Sequence, residues 1–148
     1  MKYLILILML SMLGFSACDS SEKKTDEPEK MESTEHLFET KWEVAELNGQ
    51  AVVLANDEKD LPYLVLRKEE NKTMGFGGCN RFNGTFKMDG SSIEFSGVAA
   101  TKMFCEDVMQ VEDVFFTSLQ EITSYELSSD TLLLMNADGD AIIKLQAE

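Results

Sequence analysis

The sequence predicts an α+β fold, a strongly curved antiparallel sheet or partly open barrel with one packed helix. Three observations predict it. Short β-forming runs recur between turn signals from Trp42 to Leu145, and only Asp107–Thr123 repeats apolar residues at helical spacing. The third is the run Gly75-Phe76-Gly77-Gly78-Cys79-Asn80-Arg81-Phe82-Asn83-Gly84-Thr85-Phe86, which sets four glycines among aromatic residues. Gly in a helix interior costs about 1 kcal/mol relative to Ala, so this run is not helical.

In chain order, Trp42, Val44 and Leu47 alternate imperfectly with charged residues ahead of Asn48-Gly49. That pattern reads as a strand and a turn, with a second short strand at Ala51–Leu54. Asn56–Leu61 is polar and acidic, a loop closed by Pro62, and Tyr63–Leu66 is rich in β-formers. After a turn at Glu69–Lys72 the glycine-rich run reads as a strand with a distorted segment. Asn-Gly between apolar residues is a strong hairpin signal, so the run is expected to turn at Asn83-Gly84 and return through Thr85 to Met88. A further turn at Asp89-Gly90 pairs Thr85–Met88 with Ile93–Phe95, and Ser96–Met103 is less regular.

Along the helix, Val108, Val111, Phe115, Leu119 and Ile122 recur at spacings of 3, 4, 4 and 3, one apolar stripe that packs on a sheet. Glu106 and Asp107 stand at its start, where the macrodipole favours negative charge. Tyr125–Leu127, Leu132–Met135 and Ala141–Leu145 complete the strands, the last two joined at Asn136-Ala137-Asp138-Gly139. Leu37–Glu148 is long enough for one core and not two.

The first residues carry an address. Lys2 supplies a positive start, Tyr3–Leu13 an apolar run, and Ser16-Ala17 small residues at a cleavage point. The run is too short to span about 30 Å of hydrocarbon, so it reads as a signal and not an anchor. Phe15-Ser16-Ala17-Cys18 resembles a bacterial lipobox, although Phe15 departs from the aliphatic residue usual there. Residues 1–17 are therefore expected to be a lipoprotein signal peptide, with Cys18 acylated, palmitate included, at the new N-terminus. The plainer alternative is a soluble secreted protein cut near Ala17. Asp19–His36 is charged and almost free of apolar side chains, and it reads as a disordered acidic tether. A flexible coil of that length spans about 20 to 25 Å. The address so read is the bacterial cell envelope, with lipid anchoring in the outer membrane on its periplasmic or surface face.

Charge and inventory exclude several functions. With 27 acidic against 13 basic residues and a net charge of -14, the chain repels phosphates, so no nucleic acid is expected. His36 is the single histidine and lies in the tether, which argues against Ser/His/Asp or Cys/His catalysis and against a His-rich zinc site. Asn136-Ala137-Asp138-Gly139-Asp140 looks like the front of a calcium loop, but Ala147 stands where the closing glutamate belongs. No catalytic residue, metal or cofactor is expected.

With Cys18 lipidated, Cys79 and Cys105 remain. Outside the cytoplasm an even count favours a disulfide, which would stabilise the fold by about 3 to 4 kcal/mol. Two buried small hydrophobes on neighbouring strands are the alternative. A thiol catalyst is disfavoured, since there is no CxxC and no histidine partner.

A family resemblance then becomes visible. Trp42 with Leu47 and Gly49, the GxGGCNxxxG run from Gly75 to Gly84, Thr101-Lys102-Met103-Phe104-Cys105, a helix with Glu112 and Leu119, and Leu132–Leu134 resemble the META (HslJ-like) domain family across Thr40–Leu145. The resemblance implies a small curved antiparallel sheet with one helix, similar in shape to a lipid-binding pilot lipoprotein of type III secretion. It implies links to heat shock and stress response, and no established catalytic residues. Its signature positions are Gly77, Gly78, Cys79, Asn80, Gly84, Thr101, Met103 and Cys105, with Asn80 and Thr101 hydrogen-bonding strand and loop together.

Taken together, the expected function is that of a non-enzymatic, lipid-anchored envelope protein that binds a protein or apolar partner in envelope stress or maintenance. An apolar ligand would need a dry groove between Phe76, Phe82 and the helix. The alternatives are a thiol/disulfide redox protein or enzyme using Cys79 and Cys105, and a secreted protease inhibitor.

Overall fold

The short β-rich runs pair antiparallel in the computed structural model, which describes residues 34–54 and 60–148. The strands are β1 (Trp42–Leu47), β2 (Gln50–Ala51), β3 (Tyr63–Arg67), β4 (Lys72–Phe76), β5 (Arg81–Asp89), β6 (Ser92–Ala100), β7 (Ser124–Ser128), β8 (Thr131–Met135) and β9 (Ala141–Ala147). The helix α1 (Met109–Glu121) lies between β6 and β7. Among the described residues the strands form one sheet in the order β2-β1-β3-β4-β5-β6-β7-β8-β9, and β1 also pairs with β9. All strands but β2 therefore close into a ring, which leaves few unpaired edges.

The ring is uneven. Between β1 and β9 the pairing runs from Trp42↔Ala147 to Leu47↔Ile143. Its weak joints are β1 to β3, at Trp42↔Leu64 and Glu43↔Tyr63, and β6 to β7, at Ser92↔Ser124. Lys41 reinforces the β1 and β9 seam: its ammonium pairs with Glu148 and with Glu43, and Glu148 N–H donates to the Lys41 carbonyl at 3.0 Å. The hydrogen bonds that its ammonium donates to Glu148 and then to Glu43 push the Lys41 pKa well above the ordinary lysine range.

Alternation along the strands explains the core. Trp42, Leu64, Leu66, Ile93, Leu132, Leu134, Ile143 and Leu145 are buried on one face, and the Phe115 and Leu119 side chains of α1 join them in one cluster. This is the predicted α+β architecture, a curved antiparallel sheet with one packed helix. Val108, Phe115, Leu119 and Ile122 of the predicted stripe are buried. Regular helix begins at Met109 rather than Asp107, because Val108 and Met109 N–H groups first turn back onto the Cys105 carbonyl.

Local expectations differ from the structure in four places. Asn83-Gly84 is not a turn: it lies within β5, with Asn83 opposite Met74 and Gly84 opposite Thr73. A Cβ on Gly84 would stand 3.1 Å from the Ser96 carbonyl oxygen and 3.3 Å from Thr73 Cγ2, so this glycine serves close strand approach and not reversal. The chain reverses at Gly77–Asn80 instead, where Gly78 adopts φ +115°. Second, Ser96–Met103 is regular as far as Ala100, because a bulge opposite Gly84 absorbs the extra residue between Ser96 and Ala99, with Gly97 at φ +61°. Third, the strand expected at Ala51–Leu54 shrinks to Gln50–Ala51.

Fourth, the last tether residues, Thr34–His36, form a helical turn instead of disordered chain. Leu37 behind them is fully buried, held by the Trp42 indole N–H, which donates to its carbonyl at 3.0 Å. The signal peptide, Cys18 and the rest of the tether lie outside the described residues, as does most of the Asn56–Leu61 loop.

Candidate functional site

The polar residues of the glycine-rich run converge at one rim of the ring, where β4 ends at Phe76 and β5 begins at Arg81. The connecting turn closes on itself through Gly77 N–H, which donates to the Asn80 carbonyl at 2.8 Å. Against it lies Glu112, in the first turn of α1 and only 3% exposed. Glu112 Oε2 accepts from the backbone N–H of Cys79 at 3.0 Å and of Asn80 at 2.6 Å, and Oε1 accepts from Asn80 Nδ2 at 2.6 Å.

Successive N–H groups aimed at one carboxylate oxygen make a small anion nest. Among the described residues no lysine or arginine forms an ion pair with Glu112, so these donors are what satisfies the buried acid. The approach depends on Gly77. A Cβ there would stand 2.7 Å from Glu112 Oε2 and 2.8 Å from both Glu112 Cγ and Phe116 Cζ.

Asn80 carries the connection onward. Its Nδ2 also donates to the Met103 carbonyl at 3.0 Å, and its Oδ1 accepts from Thr101 Oγ1 and from Met103 N–H, each at 2.7 Å. Two donors and two acceptor positions are thus all in use, which fixes the orientation of the amide. Beside it Cys79 and Cys105 form a disulfide with Cα atoms 5.8 Å apart. Turn, loop Thr101–Cys105 and helix are thereby clasped together, with Cys79 and Asn80 at the centre.

Of the signature residues, Gly77, Gly78, Cys79, Asn80, Thr101, Met103 and Cys105 meet at this clasp. Gly84 does not, since it packs strand on strand in β5. Glu112 stands in the family pattern, but its role as the buried hub is not evident from the pattern. A signal was present: Glu112 follows Val108 by four residues and precedes Phe115 by three, so it lies on the apolar stripe, where an acid needs buried donors.

Two other expectations meet side chains. Between Phe82 and the helix the space is filled, with the Phe82 ring 5.8 Å from Phe115 and 5.3 Å from Phe116. Phe76 alternates to the other side of the sheet, 6.3 Å from Tyr63, so the expected apolar groove is not formed there. In the calcium-like turn, Asn136 Oδ1 is occupied by the N–H groups of Asp138 at 3.0 Å and Asp140 at 2.9 Å, a backbone-mimicking turn. We expect Asn136→Ala to cost about 1 kcal/mol in chemical denaturation, and added calcium to leave the melting temperature of the unsubstituted protein unchanged.

Comparison with known proteins places this geometry. A family model described as META domain matches residues 35–148. An NMR structure of a protein from Burkholderia xenovorans is similar at 21% identity with a TM-score of 0.60, covering 79% of this chain and 87% of that one. A second NMR structure is similar at 22% identity with a TM-score of 0.57, covering 77% and 92%. No curated protein sequence matches the chain. At these identities the solved structures share the fold.

Proposed function

The chain belongs to the META domain family, and from that premise we propose that it is a non-enzymatic, lipid-anchored protein of the bacterial cell envelope whose domain binds a protein partner in envelope stress or maintenance. The observation that carries the binding role is the clasp. The polar atoms that converge at Gly77–Asn80 are engaged with one another, so they support a scaffold rather than a reacting centre. The anchor rests on Ser16-Ala17-Cys18, and the protein-partner version is favoured over an apolar ligand because Phe82, Phe115 and Phe116 fill the expected groove. Palmitate, the outer membrane and the stress response belong to this same proposal.

Metabolic labelling with a palmitate analogue tests the anchor. Wild-type chain takes up label and sediments with membranes, whereas Cys18→Ala loses both. Equal labelling of the two, or a wild-type chain in the soluble fraction, overturns it. Capture of the same protein by the anchored domain under heat stress, and not by a Cys18→Ala control, supports the partner role.

The thiol redox alternative has less support, since Cys79 is only 2% exposed and both sulfurs are bonded to each other. It requires an alkylatable thiol in the native protein.

A further inference from the structure

The clasp holds something outward. Loop Thr101–Cys105 presents Phe104 with 80% of its surface exposed and Met103 with 58%, among the most exposed large apolar side chains described. An isolated exposed apolar residue needs no explanation. This adjacent pair differs because its backbone is fixed on both sides. Asn80 holds Thr101 and Met103, and the disulfide holds Cys105. Fixing a loop before it binds removes the ordering entropy that binding would otherwise cost. A benzyl ring supplies rigid contact area, and a methionine adapts to an irregular surface.

The position of the N-terminus narrows the occupant. Glu35 pairs with Lys68, Glu39 N–H donates to the Leu66 carbonyl, and His36 lies 3.7 Å from Asp130. The chain thus enters at the rim of the β3–β4 and β7–β8 turns. Loop Thr101–Cys105 lies at the other end of β4, where Thr101 N–H bonds the Arg81 carbonyl. Five strand residues at about 3.3 Å each separate the two rims by about 17 Å. An anchor at Cys18 precedes the entry rim, so Met103 and Phe104 sit at the rim away from the point where the tether joins the domain. The net charge of -14 disfavours an anionic lipid surface and a second copy alike.

We propose that Met103 and Phe104, at the rim opposite the tether, form the docking point for a second envelope protein that offers an apolar socket with a carboxylate at its edge for the exposed Lys102. This deepens the function proposed above and rests on it.

A photo-crosslinking phenylalanine analogue placed at Phe104 of the full-length chain in cells tests it, with the same analogue at Asp130 as the opposite-rim control. The expected result is one protein joined at position 104 and not at 130. That protein, once purified, binds Phe104→Ala about 10-fold or more weakly than wild type, while Phe104→Ala keeps its melting temperature and disulfide. Lys102→Glu weakens the same binding, most at low salt. Adducts with lipid, adducts with another copy of this chain, no adduct, equal capture at 130, or unaltered binding by Phe104→Ala each overturn the proposal. Membrane fractionation separates the two failures. An anchored chain that gives no specific adduct overturns the docking point alone, whereas an unanchored wild-type chain overturns the anchoring.

Discussion

Glu112→Ala lowers the stability of the domain by about 3 to 5 kcal/mol, read as a shift of the denaturation midpoint with unchanged slope. Removing the carboxylate leaves the Cys79 and Asn80 backbone N–H groups and Asn80 Nδ2 without an acceptor in a buried site, and each buried orphan donor costs about 1 to 3 kcal/mol. Water entering the vacated space offsets part of that. Glu112→Gln is milder, about 1 to 3 kcal/mol, because an amide keeps one acceptor oxygen but turns an NH2 group toward at least one donor. Since Asn80 joins the carboxylate to the loop, Glu112→Ala and Asn80→Ala are not additive. The double variant is more stable than the sum of the single losses predicts, by about 1 to 3 kcal/mol of coupling. Simple additivity would mean that Asn80 and Glu112 act independently.

Replacing both cysteines, Cys79→Ala with Cys105→Ala, costs about 3 to 4 kcal/mol, through the 26-residue separation that the bond closes. The mechanism differs from that at Glu112. The disulfide acts chiefly on the unfolded chain, whereas Asn80 continues to hold Thr101 and Met103 in the folded one. The double variant therefore retains the native sheet by circular dichroism while Thr101–Glu106 amides exchange faster, a local loosening. Thiol labelling gives the complement: without reductant, the domain's Cys79 and Cys105 stay unmodified even in denaturant. Collapse of the sheet in the double variant would show that the loop has no independent hold on the turn.

How far the sequence reaches depends on the range of the interaction that decides each residue. The helix stripe and most strand runs follow from local periodicity, and burial of Val108, Phe115, Leu119 and Ile122 needs only a sheet to pack on. Ring closure through β1 and β9 is a contact between the two ends of the domain, which alternation along a single strand does not encode. Asn83-Gly84 shows the opposite failure. A strong local turn signal is overridden by strand pairing on both sides, where Thr73 and Ser96 leave little room for a side chain at Gly84.

The clasp was legible in part. Glycine, cysteine and asparagine in one run mark a distorted segment, and Asn80 and Thr101 do bond each other at 2.7 Å. What the run does not disclose is the acid across from it. Glu112 is more than thirty residues away in sequence, and only the absence of a Cβ on Gly77 lets it approach. An acidic residue inside an apolar helical stripe is the pattern that points to such a hub.

Hydrogen exchange at the Cys79 and Asn80 amides of the native protein tests the clasp most directly. Both lie in a turn at the rim of the sheet, where unbonded N–H groups exchange quickly. If Glu112 accepts them as described, they exchange as slowly as the ladder amides between β4 and β5, and Glu112→Gln accelerates them selectively. Rapid exchange of both in the wild-type protein, at the rate of an open turn, would contradict the account.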